Sequence, residues 1–215
     1  MAQETGDRRA ETDELPGAYQ AVTLATGRGE VRCRYTAVPG ATRAVVWMGG
    51  VGGGWDTPAR GLYPSLAEEL AGEETASVRV RFRHPGDLDE CTFDALAAVA
   101  YLEAQGIGRI GLVGHSFGGA VAIRAAARAP SARAVVTLAT QGSGAEPAAG
   151  LGPRVATLLI HGRDDEILPA ESSARVHRLA RDPKRLLLLN GARHCLDEQA
   201  DRVRREVRDW LLERL

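Results

Sequence analysis

Residues 109–128 read RIGLVGHSFGGAVAIRAAAR and combine an apolar run, a glycine-rich turn and an alanine-rich segment. The apolar run 109–113 predicts a buried strand, and the alanine-rich segment after it predicts a helix. Between them lies a G-x-S-x-G motif, which in a strand-to-helix turn holds its central residue in a strained backbone with the side chain projecting. Ser116 is therefore a candidate nucleophile, and the Phe117 N–H at the helix N-terminus is a candidate donor to negative charge. The alternative is a tight glycine turn with an inert serine.

The same alternation continues on both sides of this stretch. Apolar or β-rich runs occur at 19–26, 30–38, 43–48, 77–82, 109–113, 133–139, 155–160 and 185–189. Helical segments are predicted near 60–71, 88–104, 117–129, 170–181 and 197–214. Gly27 and Gly29 make the first two runs a hairpin. Short apolar strands alternating with helices predict an α/β fold, with a mostly parallel eight-stranded sheet flanked by helices.

Two further polar segments each follow a predicted strand. HGRDDEILP, residues 161–169, follows the run at 155–160, and GARH, which ends at His194, follows the last strand. Sites in open α/β sheets lie at the carboxyl ends of strands. A lone aspartate there is usually a helix cap and a lone histidine a surface or core residue. The order serine, aspartate, histidine, each after its own strand, instead favours a catalytic triad.

These residues resemble the α/β-hydrolase superfamily, and in particular small dienelactone-hydrolase-like members without a cap domain. The resemblance covers about residues 43–214. It implies Ser116 as the nucleophile, His194 as the base and Asp165 as the acid. Asp165 is chosen because of its spacing from His161-Gly162. Asp164 remains the alternative acid.

The resemblance also implies an oxyanion hole. Similar proteins carry an HG-x-GG stretch after an early strand, and its backbone supplies one donor. Here the stretch reads GGVGGG, residues 49–54, so that Gly49 replaces the family's histidine. The Val51 N–H would then donate together with that of Phe117. The replacement affects the rigidity of the loop more than the donor, because the donor is a backbone group.

The expected activity is that of an esterase or thioesterase working through an acyl-enzyme, without a cofactor. The 14 residues 141–154 leave no room for a cap, so the site should be open. It would take small or extended acyl groups, or be completed by a partner. Trp55 and His84 are candidate substrate contacts, although Trp55 could pack on the following helix and His84 could lie in a solvated turn. An acyltransferase or a non-catalytic binding module remains an alternative.

Composition and charge indicate the number of domains, the kinds of partner and the location of the protein. The chain has 215 residues and a formal net charge of −1, which suits one globular domain over 15–215 and argues against nucleic acid as a partner. Residues 1–14 are predicted to form a disordered leader. They resemble neither a signal peptide nor a membrane span, so we expect a cytoplasmic location with no membrane partner. The expected partners are a small-molecule acyl substrate and possibly a second copy in a homodimer.

Four other patterns are set aside. The G-x-G-x-x-G at 106–111 precedes a strand, whereas a dinucleotide fingerprint follows one. The glycines of 49–54 lack the Lys-Ser/Thr ending of a P-loop. The polar residues of 161–166 lack the paired histidines of a metal site, so no metal is expected. Cys195 adjoins His194 but has no turn to present it, so it is expected to be a bystander thiol.

Overall fold

The computed structural model describes residues 19–215, and the predicted leader 1–14 lies outside them. The strands are β1 (Gln20–Thr26), β2 (Gly29–Thr36), β3 (Arg43–Met48), β4 (Thr75–Arg81), β5 (Arg109–His115), β6 (Ala132–Leu138), β7 (Ala156–Gly162) and β8 (Lys184–Leu189). The α-helices are α1 (Pro58–Ala71), α2 (Leu88–Ala104), α3 (Phe117–Arg128), α4 (Glu171–Leu179) and α5 (Ala200–Arg214).

The strands form one sheet in the order β1-β2-β4-β3-β5-β6-β7-β8. β2 pairs antiparallel with both β1 and β4, whereas every pair from β4 through β8 is parallel. The eight-stranded, mostly parallel sheet predicted from the sequence is therefore confirmed. So is the first hairpin, whose turn places Gly29 at φ 113°, a conformation that glycine adopts without steric cost.

Both faces of the sheet are buried along its central strands, as continuous apolar strands require. On β3, Val46 and Met48 point into a core formed with α2, α3 and α4. Val45 and Trp47 point into a second core on the opposite face, formed with α1 and α5. The sheet thus lies between two helical layers, and its strand ends are the places where polar loops can gather.

The carboxyl ends of the parallel strands meet at one edge. In the β5–β6 pair His115 lies opposite Leu138, and in the β7–β8 pair Gly162 lies opposite Leu189. The segments that follow β5, β7 and β8 therefore leave the sheet side by side. These segments carry Ser116, Asp165 and His194.

No cap domain covers this edge in the described part of the chain. The connection from β6 to β7 contains only a short 3-10 helix, Glu146–Gly150. The predicted absence of a cap is confirmed. Nor does any helix within residues 19–215 combine the length and apolar character needed to span a membrane.

The start of α1 differs from the regular helix expected from the sequence. Ala59, Arg60 and Gly61 have φ values of 50°, 53° and 89°, so their backbone is left-handed. In this conformation Ala59 N donates to Cys195 O over 2.7 Å, and Arg60 N donates to a carboxylate oxygen of Asp197 over 2.9 Å. The irregular turn therefore anchors the loop that contains His194.

Candidate active site

Ser116 lies at a sharp turn between β5 and α3. Its φ of 54° and ψ of −118° fall in a region that residues other than glycine seldom occupy. Ser116 N donates to Leu138 O over 2.8 Å, and Gly119 N donates to Ser116 O over 3.0 Å. A conformation of this kind costs on the order of 1–3 kcal/mol and persists only where the surroundings enforce it. The strand, strained residue and helix follow one another as the motif predicts.

Glycines at this turn allow backbones to approach closely. A Cβ at Gly118 would overlap the carbonyl oxygen of Gly49, and a Cβ at Gly114 would overlap that of Gly118. Gly162, at the end of β7, is similarly packed on the carbonyl of Ala192, in the segment that precedes His194. Backbone-to-backbone contacts therefore set the spacing between the loops at this edge.

Replacing Gly118 by alanine is expected to destabilise the protein by about 1–3 kcal/mol, because the backbone oxygen of Gly49 cannot move aside as a flexible side chain can. Chemical denaturation measures the change. Gly108→Ala is the matched control, since a Cβ there meets nothing within 4 Å. Equal stability of the two variants would show that the approach of Gly118 to Gly49 is not rigid.

His194 and Asp165 are hydrogen-bonded, with 2.8 Å between His194 Nδ1 and Asp165 Oδ2. The Asp165 side chain is 1% exposed, and its Oδ1 accepts hydrogen bonds from Ile167 N and Leu168 N, both over 2.8 Å. Burial acts to raise the pKa of Asp165, but the hydrogen bonds from Leu168 N, His194 and Ile167 N outweigh it and hold this pKa below its usual range. Asp165 is therefore an ionised partner for the imidazole.

Asp164, the alternative acid, has a different environment. Its side chain is exposed, and its N–H donates to Ala192 O over 3.1 Å. The loop therefore turns Asp165 toward His194 and leaves Asp164 at the surface.

Two histidines that the sequence analysis gave no role also lie at this site. His161 is fully buried, and its Nε2 lies 3.0 Å from Asp165 Oδ2. The ring of His115 lies 4.8 Å from that of His194, and His115 Nε2 lies 3.1 Å from His194 O. Burial lowers the pKa of His115 to about 4, so this ring is neutral and packs beside His194 without adding charge.

The glycine loop after β3 lies against Ser116. A Cβ built at Gly50 would be 3.8 Å from Ser116 Cβ, and Gly50 N donates to Asp56 Oδ2 over 3.2 Å. No hydrogen bond from Val51 N or Phe117 N to another residue of the range 19–215 is formed. Both candidate oxyanion donors thus have no acceptor within the described residues, and Val51 is itself exposed whereas Phe117 is buried.

The two candidate substrate contacts have contrasting surroundings. The Trp55 ring packs on the guanidinium of Arg34, 4.1 Å from the ring centroid, and Trp55 O accepts a hydrogen bond from Arg79 over 2.5 Å. The role of Trp55 as a substrate contact stays a prediction. His84 is exposed in the turn after β4, whereas the neighbouring Arg83 is ion-paired with Asp94 over 2.6 Å.

Two cavities lie beside the strands β1, β2 and β4. One of about 410 Å³ adjoins the glycine loop at Gly52–Gly54 and has charged side chains in its lining: Glu30, Arg32, Arg81 and Arg83. The other, of about 700 Å³, is mostly apolar and lies between β1 and α2, where none of its lining residues belongs to the triad or to the glycine loop. Neither is an apolar tunnel leading from Ser116.

Other reactive groups nearby do not form a second site. Within residues 19–215, no cluster of three or more histidine, cysteine, aspartate or glutamate side chains is arranged to hold a metal ion. Burial, followed by the charges of Asp197 and Glu166, raises the pKa of the Cys195 thiol, so that its reactive thiolate is disfavoured.

Comparison with known proteins identifies the family of the chain. The chain belongs to the alpha/beta hydrolase family: the model of that family matches residues 38–154, and the model of the PET hydrolase-like family matches residues 99–213. The resemblance inferred from the sequence is confirmed, and the protein is a hydrolase of this family.

Solved structures agree on the fold. Dienelactone hydrolase from Anabaena variabilis is 22% identical with a TM-score of 0.77, covering 92% of this chain and 98% of that one. An alpha/beta serine hydrolase without lid from Xanthomonas campestris is 21% identical with a TM-score of 0.66, covering 92% and 97%. YfhR, an uncharacterized protein of Escherichia coli K12, is 34% identical over 76 residues, which are 34% of this chain and 26% of that protein.

Proposed function

We propose that the protein is a serine esterase that cleaves an ester or thioester of a small or extended acyl substrate through an acyl-enzyme. The observation that carries the proposal is the bonded pair of His194 and Asp165 at the strand edge where the strained turn presents Ser116. A serine between a strand and a helix, a histidine and a buried carboxylate are the three groups that this chemistry requires.

In the proposed acylation, His194 Nε2 takes the proton of the Ser116 hydroxyl while Ser116 Oγ attacks the carbonyl carbon. The Val51 and Phe117 N–H groups would hold the resulting oxyanion. His194 then returns the proton to the leaving alcohol or thiol as the bond to the acyl carbon breaks. Asp165 stays ionised and stabilises the transient imidazolium.

Water completes the cycle by attacking the acyl-enzyme, with His194 again acting as the base. The product acid leaves and the Ser116 hydroxyl is restored. Hydrolysis is favoured over acyl transfer because no cap formed by residues 19–215 excludes water from this edge. Every step uses side-chain or backbone groups of the chain, so the proposed reaction requires no cofactor.

We also propose a cytoplasmic location. The support is that Cys33, Cys91 and Cys195 are all unpaired, as thiols are in reducing compartments.

A series of p-nitrophenyl esters from acetate to dodecanoate tests the activity and the open site together. We expect kcat/KM to be highest for short chains and to fall beyond them, since methylenes that remain in water gain little binding energy. If each added methylene were fully enclosed, it would contribute about 0.8 kcal/mol of binding free energy and raise kcat/KM roughly fourfold. A steady rise of that size to long chains would show an enclosed apolar tunnel. No hydrolysis above the Ser116→Ala blank for any ester would contradict the proposed function.

A further inference from the structure

His161 occupies a buried position next to the proposed triad. It is the penultimate residue of β7, and its side chain is 0% exposed. Its Nε2 lies 3.0 Å from Asp165 Oδ2 and 3.1 Å from Leu168 O. Its Nδ1 lies 2.6 Å from the hydroxyl oxygen of Ser173, a buried residue of α4. Both ring nitrogens are thus occupied by partners on different elements.

These partners determine which nitrogen carries the proton. Leu168 O and the ionised Asp165 carboxylate can only accept hydrogen bonds, so His161 Nε2 must be a donor. Burial lowers the pKa of His161, so the ring is neutral and Nδ1 has no proton. Ser173 therefore donates its hydroxyl proton to Nδ1. Ser173 thus donates to His161, and the Nε2–H of His161 faces Leu168 O and Asp165.

Asp165 therefore receives three hydrogen bonds and one further polar contact. Its Oδ1 accepts from Ile167 N and Leu168 N, and its Oδ2 accepts from His194 Nδ1. The single N–H of His161 is hydrogen-bonded to Leu168 O, and the same nitrogen lies 3.0 Å from Asp165 Oδ2 as a second, weaker contact. The His161 N–H therefore lies beside the oxygen that binds His194, whereas the two backbone N–H groups bind the other oxygen. All of these contacts restrain the same planar carboxylate group.

We propose that His161, held in one tautomer by Ser173, is a positioning residue that aims the Asp165 carboxylate at His194. It acts through Asp165 and touches no substrate. Its effect on turnover rests on the proposed function, whereas its effect on the bond between Asp165 and His194 does not. The two can therefore be tested separately.

The direct readout is the proton between His194 Nδ1 and Asp165 Oδ2, which in a strong bond to a carboxylate gives a far-downfield NMR resonance. We expect this resonance in the wild type. It should be lost or moved upfield in His161→Phe, which fills the space but has no donor. His161→Gln, whose amide N–H can reach Asp165, should retain it. His177→Phe removes a histidine from α4, away from Asp165, and should leave it unchanged.

Kinetics provide the second readout. On the best ester, His161→Phe should lower kcat by roughly 10–100-fold, by analogy with residues that orient metal-ligating side chains. KM should stay within about twofold, because the substrate contacts are unchanged. His161→Gln should recover most of kcat. Ser173→Ala removes only the hydroxyl and should give a smaller loss of kcat with a broadened resonance.

An unchanged resonance and an unchanged kcat in folded His161→Phe would overturn the proposal. If that variant does not fold, wild-type values of both quantities in Ser173→Ala would overturn it instead. A wild type that shows the resonance but hydrolyses no ester would count against the proposed esterase activity, and the NMR comparison would still decide the role of His161.

Discussion

Replacing Ser116 by alanine is expected to abolish ester hydrolysis, with a fall in kcat on the order of 10⁶-fold, the size seen where a triad loses its nucleophile. The reason is that His194 has no other hydroxyl presented at the strained turn. Thermal unfolding should remain close to wild type, because alanine keeps the same Cβ in the same backbone conformation. The loss would then be chemical rather than structural.

A fluorophosphonate probe gives the measurement that separates Ser116 from other nucleophiles. It should label the wild type and fail to label Ser116→Ala. Cys195→Ala is the matched control, because it removes the reactive group nearest His194 in sequence and should leave labelling intact. Labelling that persists without Ser116, or disappears without Cys195, would assign the nucleophile elsewhere.

Replacing Asp165 by asparagine is expected to lower kcat by about 10⁴-fold, as in the serine-protease triad when the aspartate becomes asparagine. The two backbone N–H groups hold one oxygen and would keep the amide oxygen in that place. The amide nitrogen would then face the N–H groups of both His194 and His161. The amide N–H and the His194 Nδ1–H are both donors and cannot bond to each other. His194 would therefore favour the tautomer with its proton on Nε2, which cannot accept the Ser116 proton.

The control for this substitution is Asp164→Asn, the same chemical change one residue earlier at an exposed side chain. We expect it to alter kcat less than twofold. Steady-state kinetics of the two variants on one short ester make the comparison. If Asp164→Asn proved the more damaging, Asp164 would take the role of the acid.

The strands and helices could be predicted from the sequence because each is continuous and strongly patterned. The run at 43–48 is buried on both faces, and the alanine-rich stretch after Phe117 packs between sheet and neighbouring helices. The order of the polar segments also placed Ser116, Asp165 and His194 at one edge, since parallel strands carry their carboxyl ends to the same side.

Contacts that depend on side-chain direction could not be predicted. In the sequence, His161 is a spacing reference for Asp165 and one of the polar residues set aside as metal ligands, because nothing in a linear motif shows that its ring turns inward to the carboxylate. The stacking of the Trp55 ring on Arg34, from the antiparallel part of the sheet, likewise has no signal in the sequence. Such pairings are decided by strand register, which sequence patterns leave unspecified.

For directed evolution, the glycines that pack backbone to backbone must be kept, whereas some other glycines can be varied. Gly114, Gly118 and Gly162 admit no side chain without moving a neighbouring loop, so libraries that vary them would mostly yield inactive clones. Gly150, in the connection between β6 and β7, has open space around its Cβ position. Substitutions at Gly150 can therefore be explored without disturbing the candidate site, whereas Gly144 and Gly152 in the same connection are packed against Leu88 and the backbone of Asp182.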